Sequence, residues 1–492
     1  MDKQNISYNT RHAQRTFRIR RQWILGMLLC ALGMPHATAQ EETPDYTKWS
    51  IHDGKFYVDG KWVFLKAAKP LINYADASNV SALIKKLDIL KEKHYNAIEM
   101  NCYWHHFDKN GDGIIDVSLM PLRSIINAVY NRGMYPCLSV ETYAVGGGNI
   151  PDDFWSRNPD AYAIDSKGNQ VSDTEYGFGT RVVSIYHEGY RNAVHRYISS
   201  LARGVDTRKI LYFETTVEPQ YMGNTAICYS ENARREYNKW REENGITDAA
   251  SAMPETFPMP QSFVKNETWN KFRAQFLARW VNEDAEAYRS VAGESAHVAV
   301  DYLDANESVQ YLRDGNPIEF LRALTCANII QINWTWNLET KSLNHKAYDR
   351  VWQVKNETGR DWAVAEHMTF NGNDFTNLTD EKRRLILENT LQRGTRFSWE
   401  FTNVNNSTAD GFSLYYDDFT PKPTIATVDN NWDHWVERIA YWENQLSPVG
   451  SIQAEKTAPW TIYSINGTIV RHSPLPPGIY IINDRKTLVT RH

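Results

Sequence analysis

Two glutamates in this chain are placed to do acid–base and nucleophilic chemistry together. Glu218 lies in Phe-Glu-Thr-Thr-Val-Glu-Pro-Gln at 213–220, and Glu366 lies in Trp-Ala-Val-Ala-Glu-His-Met at 362–368. Each follows a short apolar run with strand character. Its carboxyl must then be solvated or partnered where the strand opens, because burying it alone is costly. Paired carboxyls can cleave a glycosidic bond: one protonates the leaving oxygen, and the other attacks the anomeric carbon or activates water. A separation of about 5–5.5 Å gives retention and about 6.5–9.5 Å gives inversion; the sequence does not set that distance. Either glutamate alone reads equally well as a salt-bridged or solvent-facing acid, and it is their joint placement that favours catalysis. Glu214 shares strand parity with Glu218 and is expected one layer deeper, while Glu141 ends a further strand. Both suit a supporting role, holding the acid/base or a substrate hydroxyl.

The elements that must position these acids show as an alternation. Apolar strand-like runs at 62–67, 95–101, 134–140, 209–215, 297–303, 328–334, 361–366 and 395–399 are separated by stretches of helical spacing, the pattern of a parallel sheet covered by helices. The first helix carries Val80, Leu83, Ile84, Leu87 and Leu90 on one face, with Ser78 or Asn79 as its cap. Another passes Ile125 and Val129 and stops at Gly133; a third carries Val194, Tyr197, Ile198 and Leu201. Eight such units predict an α/β fold, a (β/α)8 TIM barrel, with a small β-rich module at 456–492. The barrel is expected over 51–447, with an insertion at about 222–290. Barrel enzymes place their chemistry at the C-terminal strand ends, and strands four and seven face each other across the mouth. Residues at or just past strand ends are therefore candidates for shaping a substrate: Tyr103, Trp104, His105, Tyr143, Asn333, Trp334, Trp336, His367 and Trp399. For each aromatic, core packing is the competing reading.

The N-terminus reads as an export signal. Arg11, Arg15, Arg18, Arg20 and Arg21 precede an apolar stretch at 23–34, and Ala37-Thr38-Ala39 offers a cleavage site. Residues 1–39 are then a signal peptide and 40–50 a polar leader, so the protein is expected in the periplasm, at the cell surface or secreted. Removing 1–39 takes away six basic residues and one acidic residue and turns the net charge from −5 to −10. An acidic chain is unsuited to nucleic acid, whose binding rests on basic patches. No later run is long enough for a transmembrane segment. Cys102, Cys137, Cys228 and Cys326 show no paired spacing, which argues against structural zinc and favours buried free thiols.

The strand-end acids resemble those of clan A of the glycoside hydrolases, which places its acid/base at the end of strand four and its nucleophile at the end of strand seven. Glu218 and Glu366 match those positions, and Trp399 matches a tryptophan at the end of strand eight. Asp59-Gly60-Lys61 and Asn96-Ala-Ile-Glu-Met-Asn-Cys-Tyr-Trp104 are similar to the β-galactosidase families 35 and 42 of that clan. The resemblance covers about residues 51–445. It implies a retaining, exo-acting β-glycosidase, β-galactosidase-like, that uses Glu366 as nucleophile and Glu218 as acid/base on an oligosaccharide or polysaccharide. The chain departs from the clan at Val217, where an asparagine contacting the sugar 2-hydroxyl is usual, and at Glu99, near the place of a strand-two arginine. An endo-β-glycanase of mannanase type and a non-catalytic carbohydrate-binding protein are the competing functions.

Other signals point to no cofactor. Gly146-Gly147-Gly148 lacks the lysine and hydroxyl residue of a P-loop, and neither a nucleophile elbow nor a His-Glu-x-x-His segment occurs. Asp108, Asn110, Asp112 and Asp116 are spaced like calcium-loop ligands, but Leu119 stands where a bidentate acid belongs. A tight turn leading to a helix capped near Asp116 or Ser118 is the favoured reading. The tail, with Ile462-Tyr-Ser-Ile-Asn-Gly467 and Leu475-Pro-Pro-Gly-Ile-Tyr-Ile-Ile482, resembles type IX secretion sorting modules; an ordinary β appendage is the alternative.

Overall fold

The computed structural model describes residues 49–52, 54–143, 149–173, 180–222, 226–303, 311–333, 336–337, 342–343, 345–367, 397–401, 438, 462–464, 478–482 and 485–489. Eight parallel strands form the central sheet: β1 (Leu65–Lys69), β2 (Ala97–Tyr103), β3 (Tyr135–Glu141), β4 (Phe213–Thr216), β5 (Val298–Leu303), β6 (Ile329–Asn333), β7 (Ala363–His367) and β8 (Phe397–Phe401). Each pairs with the next in chain order, and β8 pairs with β1, Trp399 opposite Ala67. Helices follow the first six strands: α1 (Ala77–Ile84) and α2 (Leu87–Glu92), α3 (Met120–Tyr130), α4 (Glu188–Gly204), α5 (Glu231–Glu243) and α6 (Glu267–Ala292), α7 (Pro317–Ala323) and α8 (His345–Thr358). The segments after β7 and β8 lie outside the described residues, so the architecture is a curled parallel sheet of (β/α)8 type rather than eight demonstrated units.

Alternation along the strands sorts the side chains into two cores. Leu65, Ala67, Ala97, Cys137, Tyr212, Ala299, Ile329, Ala363 and Ala365 fill the interior of the sheet. The residues between them, among them Ala68, Ile98, Leu138, Phe213, Val300, Ile330 and Val364, pack outward under the helices. Before β1 the chain forms a three-stranded antiparallel sheet, Trp49–His52, Lys55–Val58 and Lys61–Trp62. It caps the inner core through Phe56, whose ring meets His297 edge-on. A second three-stranded antiparallel sheet, Ile462–Ser464, Gly478–Ile482 and Arg485–Val489, forms within the tail.

Much of the aromatic load is structural. One face of α6 buries Trp269, Phe272, Phe276 and Trp280 against tyrosines such as Tyr186, Tyr190 and Tyr237. Each fully buried ring of this kind contributes about 2–3 kcal/mol by leaving water. Cys102, Cys137, Cys228 and Cys326 are buried and free, as their spacing suggested.

Two local expectations are corrected. The first predicted helix is broken into α1 and α2, and its cap is Asp76, which accepts from the Ser78 and Asn79 amides. The segment 108–116 is a turn, as favoured, but closed by Asp108 itself. That carboxylate accepts from the amides of Gly111 and Gly113 and from the Trp104 indole, each at 2.7–2.8 Å. Asp116 accepts from the Lys109 amide and caps no helix; Ser118 Oγ accepts from the Met120 amide at the start of α3. With both Asp108 oxygens so engaged, the calcium ligand set does not assemble, and no metal-binding cluster occurs among the described residues.

Gly113 docks this turn on α4. It has φ +87°, and an added Cβ would stand 2.3 Å from the Ala193 carbonyl oxygen and 2.6 Å from Arg196 Cβ. Gly133 has φ +69° with open space around it. Gly113→Ala is therefore expected to cost about 3 kcal/mol, from backbone strain plus overpacking. Gly133→Ala should cost only about 1 kcal/mol, from the backbone alone. Urea unfolding of the two variants measures the difference, and equal midpoints would remove the docking role of Gly113.

Candidate active site

At the C-terminal ends of the strands, the inward parity changes from apolar to ionisable. β1 ends on Lys69, β2 carries Glu99, β3 ends on Glu141, β4 carries Glu214, β5 carries Asp301 and β6 carries Gln331. All six are buried. At the centre, Lys69 Nζ lies 2.6 Å from Glu99 Oε1 and 2.8 Å from Glu214 Oε2, with both ion pairs fully shielded from solvent. The Tyr212 hydroxyl donates to Glu99 Oε2 at 2.6 Å, and Gln331 Nε2 donates to the same oxygen at 3.2 Å. Burial opposes the charge on Glu99, but Lys69 and these donors hold its pKa below the ordinary carboxylate value. For Glu214, burial and the neighbouring Glu99 charge outweigh Lys69 and push the pKa well up. The surroundings thus favour the ionised form of Glu99 and disfavour that of Glu214.

Above this floor stands Glu218, two residues past the end of β4 and only 7% exposed. Its backbone is left-handed, with φ +46°, a conformation that costs an ordinary residue about 1–2 kcal/mol. Long-range contacts hold it there. The Glu218 amide donates to Asp301 Oδ2 on β5 at 3.3 Å, and Gln220 Nε2 donates to Glu218 Oε2 at 3.2 Å. Arg313 in turn donates to Gln220 Oε1. Two further carboxyls feel this site. Burial, then the nearby charge of Glu218, raises the pKa of Asp301 well above the ordinary value. Glu141 is raised by burial and by Glu218, against the pull of Lys69. Glu141 Oε1 is buried with no hydrogen-bond partner.

The remaining expected residues divide. Tyr103 closes β2 opposite Glu141, and burial together with Glu141 pushes its phenol up to about 12. His105 is half-buried beside it. Trp104 and Tyr143 are corrected to core residues. Trp104 is fully buried, bonded to Asp108 and packed on Phe154, Tyr190 and Tyr197; Tyr143 is buried against Trp280. Glu366 and His367 occupy the last two positions of β7, with Glu366 in register with Ile332 and Ser398 and His367 with Trp399 on β8. Alternation gives Glu366 the parity of Val364, and gives His367 that of Ala363 and Ala365. Asn333 ends β6, and Trp336 pairs with Leu343 in a short two-stranded sheet. Trp334 and the Gly146–Gly148 loop lie outside the described residues.

Lys69, Asp301, Gln331 and Gln220 escape the sequence reading. Lys69 falls beyond the predicted end of its strand, because a lysine there reads as a solvent-facing terminator. Asp301 and Gln331 carried a signal: each stands two places after an inward residue, Ala299 and Ile329, inside an otherwise apolar strand.

The raised carboxyls make stability pH-dependent. A carboxyl whose folded pKa lies above its unfolded value binds more protons folded than unfolded, so stability falls as pH rises between the two. Glu141→Gln removes one such group and keeps its neutral shape. The variant should match the wild type in Tm below pH 4.5, the ordinary Glu value, and gain on it progressively as pH rises above that. A Tm difference independent of pH would show that Glu141 does not hold a proton in the folded protein.

No family model matches the chain, and no curated protein matches it. Solved structures match the fold. The catalytic domain of β-amylase from Paenibacillus polymyxa is 16% identical, with a TM-score of 0.53, covering 75% of this chain and 97% of that one. β-Galactosidases from the psychrophilic Marinomonas ef1 and the Antarctic haloarchaeon Halorubrum lacusprofundi are each 11% identical, with TM-scores of 0.56, covering 76% of this chain. The chain spans 60% and 58% of those two proteins. At such identities the likeness is one of fold, and the fold is glycoside-hydrolase-like.

Proposed function

We propose that this chain is an exported, retaining, exo-acting β-glycosidase, β-galactosidase-like, that removes terminal β-linked sugars with Glu218 and Glu366. Glu218 carries the proposal. It is a buried carboxyl at the strand ends of a glycoside-hydrolase-like fold, left-handed in its backbone, with its amide bonded to Asp301 on the neighbouring strand and its carboxyl to the nearby Gln220. Strain of this kind persists only where the surroundings over-determine it, and it clusters at functional sites. In the first step Glu366 attacks the anomeric carbon while the bond to the leaving oxygen breaks and Glu218 protonates that oxygen. In the second, Glu218 takes a proton from water, whose oxygen displaces Glu366 from the anomeric carbon. The exo and β-galactosidase-like character rests on the resemblance at 59–61 and 96–104, and export on the basic and apolar segments before residue 40. The partner is an oligosaccharide or polysaccharide. No described helix is long and apolar enough to cross a membrane.

Strand parity favours a second assignment of the same chemistry. Glu141 has inward parity, and burial and the charge of Glu218 raise its pKa, as suits a general acid. Glu141 would then protonate the leaving group, Glu218 would activate water, and the anomeric configuration would invert.

Aryl glycosides and polysaccharides tested side by side separate exo from endo action. On a β-linked oligosaccharide, Glu218→Gln and Glu366→Ala should each lose about a thousandfold in kcat. Azide should rescue Glu366→Ala on an activated aryl glycoside, and proton NMR should show the β-anomer released first. Wild-type turnover by Glu218→Gln rules out both assignments. An α-anomer first, with Glu366→Ala active and Glu141→Gln inactive, transfers the acid role to Glu141.

A further inference from the structure

We propose that Asp301 is the positioning residue for Glu218, gripping its main-chain amide so that the carboxyl is presented at the mouth. The inference rests on Glu218 being a catalytic carboxyl, and it holds whether Glu218 acts as acid/base or as base alone. The geometry is specific. Glu218 is left-handed without being glycine, and the preceding strand ends at Thr216, so β4's own ladder does not hold it. Its amide is taken instead by Asp301 Oδ2, from the neighbouring strand and 83 residues away in sequence. Asp301 is itself fixed within β5, in register with Gln331 on β6, and is completely buried. A carboxyl in that place sets the φ of Glu218, and with it the direction of the reacting group. Misplacement of a catalytic group by about 1 Å can cost about a hundredfold in rate.

The same contact sets two carboxyls side by side. The ionisable groups that reach Asp301 are Glu218 and Glu214 from the β4 segment, Lys69 from β1, Glu99 from β2 and Glu141 from β3. Lys69 is committed to Glu99 and Glu214 below. The charge of Glu218 is thus one of the causes that make Asp301 harder to ionise.

Asp301→Asn keeps an oxygen for the Glu218 amide but cannot ionise; Asp301→Ala keeps neither property. Where Glu218 is the acid, Asp301→Asn should stay within about threefold of the wild-type kcat at its optimum. Asp301→Ala should lose at least about tenfold in kcat with little change in KM. Thermal unfolding and circular dichroism establish that each variant is folded; Asp301→Asn is the arm that decides if Asp301→Ala is not. Glu218→Gln is measured alongside. If it is inactive while both Asp301 variants keep the wild-type kcat, the positioning role is overturned and the glycosidase reading survives. If Glu218→Gln is fully active, the reading of Glu218 itself fails.

Discussion

Lys69 is the one ammonium that the buried floor of this site is built around. An ammonium with no exposure to water is tolerable only beside compensating charge, since the desolvation cost per ion is several kcal/mol. Here Glu99 and Glu214 stand within 2.8 Å of it on two different strands, and Tyr212 and Gln331 complete the coordination of Glu99. The floor therefore ties β1, β2, β4 and β6 together by polar contacts where apolar packing gives out. Removing Lys69 would leave two buried acids facing one another, which is far costlier than replacing the whole cluster by apolar side chains.

That floor governs what lies above it. One ammonium serves Glu99, Glu214, Glu141 and Asp301, so the pKa values of the last three are raised, and burial is the first cause in each case. A neutral carboxyl can donate as well as accept, which makes the mouth a set of donors and acceptors rather than a patch of bare charge. Glu218 sits at the edge of this set, engaged at its amide by Asp301 and at its carboxyl by Gln220. The curled sheet contributes by alternation: the parity that puts Ala67, Ala299 and Ile329 in the inner core puts Lys69, Asp301 and Gln331 one step further toward the mouth.

Legibility followed the range of the interactions. All eight strands were visible as apolar runs, each within a few residues of its place, because hydrophobic periodicity is local. Glu214 was legible by counting parity along a strand, and Glu141 by its place at a strand's end. The aromatic candidates divided: Trp104 and Tyr143 lie at strand ends as expected, yet they are core, because α4 and α6 fold over them with Tyr190, Tyr197 and Trp280. Composition cannot tell a ring that meets a helix from a ring that meets a sugar. In 108–116, local spacing suited a cation, but the neighbouring amides took the Asp108 carboxylate first.

The sequence by itself determined the succession of strands and helices, the placement of acids after apolar strands, the acidic balance and the absence of paired cysteine spacing, since each depends on composition or on neighbours a few residues apart. Only the tertiary structure decided which acids have their ionisation opposed, that a lysine is the buried cation, and that Glu218 in its left-handed conformation is bonded from another strand. Those are outcomes of burial and of contacts between residues as far apart as Lys69 and Glu214, or Glu218 and Asp301. Electrostatic energies depend on distance and on exclusion of water, and neither exists along a chain until the sheet has curled and brought its strand ends together.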